Sequence, residues 1–193
     1  MTEVTLMMRH AARLLLAFCA TLAVSGAAQA QFNFIPEIRG GIVSRGVDGG
    51  GNLFDANRIG DANVELLFAV PDLNAWSPLG EFRPHLGATM SFRGQDSYAY
   101  TGLSWTFQAP VLPIFVEASA GGVVRSSMFS GPQNDPSRNF GCGVGARVAA
   151  SAGLNLPAGT SLIATVEHLP DFGTCGTPQR ANTNVGIRVG FRF

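Results

Sequence analysis

Hydrophobic and polar residues alternate along eight segments of the chain, a pattern typical of β-strands with one apolar face. The alternation is clearest in the last two segments. In the seventh, Leu162, Ala164, Val166 and His168 alternate with Ser161, Ile163, Thr165 and Glu167. In the eighth, Val185, Ile187, Val189, Phe191 and Phe193 alternate with Asn184, Gly186, Arg188, Gly190 and Arg192.

The six earlier segments have the same organisation. Their apolar faces carry Ile38 and Ile42; Ala62, Val64, Leu66, Phe68 and Val70; Pro84, Leu86, Ala88, Met90 and Phe92; Ala99, Leu103, Trp105 and Phe107; Leu112, Ile114, Val116, Ala118 and Ala120; and Val144, Ala146, Val148 and Ala150. The opposite faces of the eight segments collect Glu37, Arg39, Glu65, Arg83, His85, Glu117, Arg147, Glu167, Arg188 and Arg192. Each segment is close to the roughly nine to eleven residues that a tilted strand needs to cross a bilayer.

These patterns favour a membrane barrel over a soluble fold. A soluble sandwich would need a second layer to cover the apolar faces, and no amphipathic helix is predicted to supply one. A lipocalin is also an eight-stranded barrel, but its outer face is exposed to water, whereas the eight segments here share a continuous apolar face. We therefore predict an all-β fold, an eight-stranded antiparallel transmembrane barrel of the bacterial outer membrane. At this size the interior is filled by side chains, so the barrel is not a pore.

The N-terminus is predicted to be a cleaved signal peptide at residues 1–30, followed by the barrel at residues 31–193. Its features are the basic residues Arg9, His10 and Arg13, an apolar run at residues 14–24 and the small-x-small motif Ala28-Gln29-Ala30. The apolar run is shorter than the roughly 20 residues of a spanning helix. No later segment reaches that length either, so residence in a membrane requires a barrel.

Strand parity predicts the orientation of the loops. If both chain ends face the periplasm, as in bacterial single-chain barrels, the loops at residues 45–60, 129–141 and 172–183 are extracellular. Cys142 and Cys175 then both lie at the outer rim. The third cysteine, Cys19, lies in the predicted signal peptide and is expected to be lost with it. Two remaining cysteines in an exported protein favour a disulfide over a metal site or a nucleophile.

Other classes of site are disfavoured. The net charge is zero and no basic run is present, which argues against nucleic acid as a partner. The Asp- and Gly-rich stretch at residues 48–61 fits an EF-hand loop only in part, because Ile59 and Leu66 occupy ligand positions. The glycines at 141, 143 and 145 precede no helix, so they are better explained as small lumen-facing residues than as a nucleotide loop. We predict no metal and no cofactor.

His168 is the main candidate for chemistry. By parity it belongs to the apolar face of the seventh strand and points at lipid near the outer end. A titratable group there would meet the outer leaflet, which consists of lipopolysaccharide. Two interpretations remain open at this point: a catalytic base, or an interfacial histidine tolerated at the depth of the headgroups.

The order of the segments resembles the lipid A 3-O-deacylase family, also called acyloxyacyl hydrolases. The similar stretches are Ile38-Arg39-Gly40-Gly41-Ile42, Asn63-Val64-Glu65-Leu66-Leu67-Phe68, Arg83-Pro84-His85-Leu86-Gly87, Tyr100-Thr101-Gly102-Leu103-Ser104-Trp105, Val166-Glu167-His168-Leu169-Pro170-Asp171 and the final strand from Asn184 to Phe193. The resemblance implies an eight-stranded outer-membrane barrel that hydrolyses a fatty acyl ester of lipid A. Its partner would be lipopolysaccharide.

The family's site is a lipid-facing His-x-Ser-Asn motif late in the seventh strand with a downstream Glu. The resemblance implies His168 as the general base, but the Ser and Asn positions are Pro170 and Asp171. Proline has neither a hydroxyl to attack an ester nor an N–H to donate, and an ionised Asp would repel a developing oxyanion. No Asp or Glu follows Asp171, so the orienting acid is also missing.

Three hypotheses follow. The first is that the fold is retained while the standard serine hydrolysis is lost or severely weakened. The second is a working lipid A esterase in which His168 uses another partner. Thr183, which shares the lipid-facing parity of the eighth strand, could be the nucleophile, or Asp171 and His168 could together activate a water molecule. The third is a structural or lipopolysaccharide-binding barrel in which His168 has no catalytic role.

Overall fold

Eight antiparallel strands each pair with their neighbours in the chain, and β1 also pairs with β8, so that the sheet closes into a barrel. The strands are β1 (Glu37–Ser44), β2 (Ile59–Leu67), β3 (Glu81–Ser91), β4 (Tyr98–Gln108), β5 (Ile114–Arg125), β6 (Val144–Asn155), β7 (Thr160–Leu169) and β8 (Asn182–Arg192). The computed structural model describes residues 35–46, 59–70, 80–126, 143–170 and 182–193. The predicted eight-stranded antiparallel barrel is confirmed.

The two faces of the sheet divide the side chains as the alternation predicts. The titratable residues buried in the lumen include Glu37, Arg39, Glu65, Arg83, His85, Glu117, Arg147, Glu167 and Arg188. The exposed apolar residues of the outer face include Ile42, Val64, Leu86, Met90, Leu103, Val116, Val148, Leu162, Val166, Ile187 and Val189. Charge inside and aliphatic residues outside reverse the arrangement of a soluble barrel and match a bilayer as the surrounding solvent.

Several strand ends differ from the prediction. Phe92, Leu112 and Phe193 lie just outside β3, β5 and β8. β2 ends at Leu67, so Phe68 and Val70 lie beyond it. The Phe68 N–H still donates to the Pro84 carbonyl at 2.9 Å, but proline has no N–H to return the bond, and the ladder stops there. β8 begins at Asn182, inside the segment predicted as a loop, so Thr183 is a strand residue.

Ion pairs fill the lumen at the end of the barrel where β1 begins and β8 ends, which we call the terminal end. Arg39 donates from Nε to Glu37 at 2.6 Å, and from its two terminal nitrogens to the carboxylate of Glu117 at 2.6 and 2.9 Å. Arg83 donates to Glu37 at 2.5 Å and to Glu117 at 3.3 Å. These interlocked side chains occupy the interior, as expected for a barrel that is not a pore.

The other half of the lumen holds a second polar network. Glu167 accepts hydrogen bonds from Tyr98, Arg147 and, at 3.0 Å, Asn184. The Arg147 guanidinium also lies 4.0 Å from the ring centroid of Tyr100, a cation–π contact. Every member of this network is buried, so the side chains are held in place by one another.

Glycines let β4 and β5 approach closely. Gly102 and Gly121 are directly opposite each other. A Cβ added to Gly102 would lie 2.1 Å from the carbonyl oxygen of Ala120, and one added to Gly121 would lie 2.0 Å from that of Thr101. Only glycine permits this backbone spacing.

The turn between β6 and β7 contains two successive left-handed residues, Ala158 (φ 60) and Gly159 (φ 70). Positive φ at both central positions is the requirement of a type I′ hairpin turn, for which Asn-Gly is the preferred pair. The Thr160 hydroxyl donates to the Pro157 carbonyl at 2.8 Å and supports the turn. Alanine at the first central position is unfavourable because its Cβ crowds the backbone there.

We expect Ala158→Asn to stabilise the barrel by about 0.5–1 kcal/mol, since asparagine tolerates the left-handed conformation better than alanine. The free energy of unfolding in urea, measured on the refolded barrel in detergent, tests this. Ala158→Val is the matched control, and a β-branched residue at positive φ should destabilise. Equal stabilities for the three proteins would contradict the turn geometry.

Residues Phe34–Arg192 form one compact unit, which contains all eight strands. The predicted signal peptide, Cys142, Cys175 and Asp171 lie outside the described residues. Within the described ranges, no helix has the length and apolar composition needed to cross a membrane.

Candidate functional site

His168 lies on the outer face of β7, near the end of the barrel opposite the terminal end. It is the penultimate residue of β7 and stands opposite Val148 of β6 and Thr183 of β8. Its side chain is half-buried, and Val166 on the same face is exposed. The imidazole therefore points away from the lumen, as the alternation predicts.

Among the residues that the structure describes, the hydroxyl of Thr183 is the one hydrogen-bond partner of the imidazole. His168 Nδ1 lies 2.9 Å from Thr183 Oγ1, across the β7–β8 ladder. If Nδ1 carries the proton, it donates to the hydroxyl, and the lone pair of Nε2 can act as a base. If Nε2 carries the proton, the hydroxyl donates to Nδ1. Because both residues belong to strands, the backbone ladder fixes their separation.

The neighbouring Glu167 cannot orient His168. Its side chain points into the lumen, where Tyr98 and Asn184 donate to one carboxylate oxygen and Arg147 to the other. Among the residues that the structure describes, no carboxylate contacts the imidazole of His168. The neutral hydroxyl of Thr183 contacts Nδ1, where an orienting carboxylate would be expected.

Pro170 follows the last residue of β7 directly. It has no N–H and no hydroxyl, so it can neither extend the ladder nor act as a nucleophile. In the described part of the chain, no hydroxyl or thiol is hydrogen-bonded to His168 Nε2. The described residues thus provide a base and a neutral hydroxyl that contacts it at Nδ1.

Parity alone indicated that Thr183 faces lipid but not which nitrogen it contacts. In a Ser-His-acid triad, the nucleophile is bonded to Nε2 and the orienting acid to Nδ1. Thr183 contacts Nδ1, so its position corresponds to that of the orienting group and not to that of the nucleophile. The contact between Thr183 and His168 depends on the register of β7 against β8, which the sequence alone does not give.

A second pair of a hydroxyl and a histidine, Ser104 and His85, which the sequence did not suggest, lies inside the barrel. Ser104 Oγ is 2.9 Å from His85 Nδ1, and the His85 ring packs edge-on against Tyr100 with a centroid separation of 5.8 Å. Ser104 and His85 are both fully buried in the filled lumen. A substrate has no route to them, so we assign the pair to packing.

The Asp- and Gly-rich segment gives no sign of a cation site at its described end. Asp61 is buried in β2 and forms an ion pair with Arg45. Across the described ranges, no group of three or more His, Cys, Asp or Glu side chains is arranged to hold a metal ion.

No protein-family model matches the chain, and no curated protein is significantly similar to it. Solved structures do match. The crystal structure of the outer membrane enzyme PagL superposes with a TM-score of 0.56 at 15% identity, over 81% of this chain and 99% of that one. Neisserial surface protein A (NspA) superposes with a TM-score of 0.46 at 11% identity, over 81% of this chain and 95% of that one. Ail of Yersinia pestis, in complex with the heparin analogue sucrose octasulfate, superposes with a TM-score of 0.45 at 9% identity, over 81% of this chain and 97% of that one.

The likeness to PagL at this identity concerns the fold. The protein has the architecture of an outer-membrane eight-stranded barrel. Its exposed aliphatic belt agrees with that architecture, and the outer-membrane location predicted from the sequence is confirmed.

Proposed function

We propose that this protein is an outer-membrane barrel of the lipid A 3-O-deacylase type that presents His168 to lipopolysaccharide but lacks the family's serine hydrolysis. The observation that carries the proposal is the outer-face contact between His168 Nδ1 and Thr183 Oγ1 at 2.9 Å. On the outer face, His168 supplies a base, and Thr183 contacts the ring nitrogen that an orienting group would contact. The residue that should supply the nucleophile is Pro170.

Two further observations support the proposal. The quoted segments resemble the deacylase family along most of the chain after residue 30, and the fold is shared with an outer-membrane enzyme. The imidazole also lies near one rim of the apolar belt, where headgroups rather than acyl chains are expected. A histidine there can donate a hydrogen bond to a phosphate or a sugar hydroxyl of a bound lipid without hydrolysing it.

We expect unchanged lipid A when the wild-type protein is folded in the outer membrane of a host without such an enzyme. The measurement is mass spectrometry of lipid A, with folding verified by heat-modifiable gel mobility. His168→Ala should give the same spectrum, because a site without a nucleophile does not use its base. Loss of one hydroxyacyl chain in the wild-type sample would refute the proposal.

The competing function is an ester hydrolase in which Thr183 is the nucleophile, and the same 2.9 Å contact is its support. That mechanism requires His168 to remove the hydroxyl proton through Nδ1. Hydrolysis that is lost in both Thr183→Val and His168→Ala, but kept in Thr183→Ser, would establish it. Hydrolysis that survives in Thr183→Val would exclude Thr183 as the nucleophile.

The proposal includes three features that rest on the sequence. They are a cleaved signal peptide at residues 1–30, a barrel formed by residues 31–193, and a disulfide between Cys142 and Cys175. A bridge between these cysteines would join two loops at the outer rim, close in sequence to the end of β7 that carries His168.

A further inference from the structure

A cavity of about 250 Å³ opens at the terminal end of the barrel, away from His168. Its polar lining comprises Glu37 from the start of β1, Arg192 from the end of β8, and Asn155, Thr160 and Ser161 beside the β6–β7 turn. None of these residues takes part in the function proposed above. The cavity is therefore a separate candidate site.

Glu37 has no capacity left to bind a cation in this cavity. Its Oε1 accepts from Arg39 at 2.6 Å, and its Oε2 accepts from Arg83 at 2.5 Å and from Arg192 at 3.1 Å. Three guanidinium groups share one buried carboxylate. Glu117, another acid of this network, is already bound to Arg39 and Arg83.

Arg192 is the least satisfied of the three cations. Its contact with Glu37 is the longest, and its side chain is 48% exposed, whereas Arg39 and Arg83 are buried. A guanidinium has five N–H donors in a planar fork. In the described part of the chain, Glu37 is the only acceptor for the Arg192 side chain. Most of its donors are thus available to a ligand in the cavity.

Ser161 adds a hydroxyl to the same lining. Its side chain is buried, and no hydrogen bond joins it to another described residue. A hydroxyl can donate to an anion beside the guanidinium. Arg192 and Ser161 together therefore offer a charged fork and a neutral donor, a combination suited to an oxyanion with two oxygens in one plane.

We propose that this cavity binds a small organic carboxylate through Arg192. The carboxylate accepts from the guanidinium fork and from the Ser161 hydroxyl. The volume of about 250 Å³ leaves room beside the carboxylate for further atoms of an organic ligand. The amide and hydroxyl groups of Asn155 and Thr160 line the space for those atoms. By strand parity, this end of the barrel is expected to face the periplasm.

The test is isothermal titration calorimetry on the full barrel folded in detergent at low salt. The probes are N-acetylglycine, its neutral analogue N-acetylglycinamide, and inorganic phosphate. We expect binding of N-acetylglycine, and at least about tenfold weaker binding of the amide, because the charge-assisted hydrogen bonds are lost. Equal binding of the carboxylate and the amide would overturn the proposal. Phosphate binding as tight as that of N-acetylglycine would overturn the assignment to an organic carboxylate.

Variants of Arg192 test the residue itself. Arg192→Gln should weaken N-acetylglycine binding at least about tenfold, and Arg192→Lys should retain part of it, since lysine keeps the charge but not the fork. Arg93→Gln, which changes an exposed arginine in the β3–β4 turn, is the matched control and should leave binding unchanged. Glu37 keeps two other arginine partners in Arg192→Gln, so folding should persist, and heat-modifiable mobility verifies it. Unchanged binding in folded Arg192→Gln would refute the site.

Discussion

Replacing Arg39 with methionine should destabilise the barrel by about 3–5 kcal/mol, because it removes one partner from a buried ion network. Arg39 is fully buried and contacts Glu37 and Glu117 at 2.6 Å each, with Glu65 at 3.7 Å. Without it, three buried carboxylates lose a cation that water cannot replace. The measurement is the free energy of unfolding in urea, with the protein folded into detergent micelles or lipid vesicles.

Arg192→Met is the matched control, since Arg192 contacts the same carboxylate of Glu37 but is half-exposed. An exposed ion pair contributes about 1 kcal/mol or less, so this variant should unfold close to the wild type. The double variant Arg39→Met, Glu117→Met should lose less stability than the sum of its single variants, because a cation and an anion leave together. Equal losses in Arg39→Met and Arg192→Met would show that burial does not determine the strength of these contacts.

The outer and inner faces of the barrel could be predicted from the sequence because strand parity is a local property. A residue such as Glu117 faces the lumen whatever the other strands do. Its partners are not local. Arg39 and Glu117 are separated by 78 positions, and they meet only because the stagger of eight strands brings them to the same height in the lumen. The alternating pattern therefore predicted a charged interior without predicting which charges pair.

The candidate site was predictable to the same extent. Parity placed His168 on the lipid-facing side, and the resemblance to the deacylase family gave it a role to examine. Its contact with Thr183 depends on the register of β7 against β8, which the sequence does not state. β7 ends at Leu169, just after the histidine, because the next residue, Pro170, has no N–H to continue the ladder. The predicted loop boundary at residue 183 was wrong because β8 begins at Asn182.

The position of Thr183 also suggests how hydrolysis could be installed. In the family pattern, the nucleophilic serine lies two residues after the histidine, which is position 170 here, and the asparagine follows it. Pro170→Ser with Asp171→Asn would supply both groups. These changes leave Thr183 at Nδ1, and a neutral hydroxyl stabilises the imidazolium that forms when His168 takes the serine proton much less than a carboxylate would. We therefore expect this double variant to release acyl chains from lipid A slowly.

Adding Thr183→Glu to the double variant should raise the rate of lipid A deacylation by about 10²-fold or more, since a carboxylate at Nδ1 fixes the tautomer and stabilises the imidazolium. The measurement is a mass-spectrometric time course of lipid A with each variant folded in the same host. Adding His168→Ala to the triple variant should return the rate to background, which separates catalysis from a general effect on the membrane. A triple variant that folds but is no faster than the double one would mean that Thr183 does not occupy the position of the orienting acid. The proposal that Thr183 makes the orienting contact of His168 would then be wrong, even if the wild-type protein leaves lipid A intact.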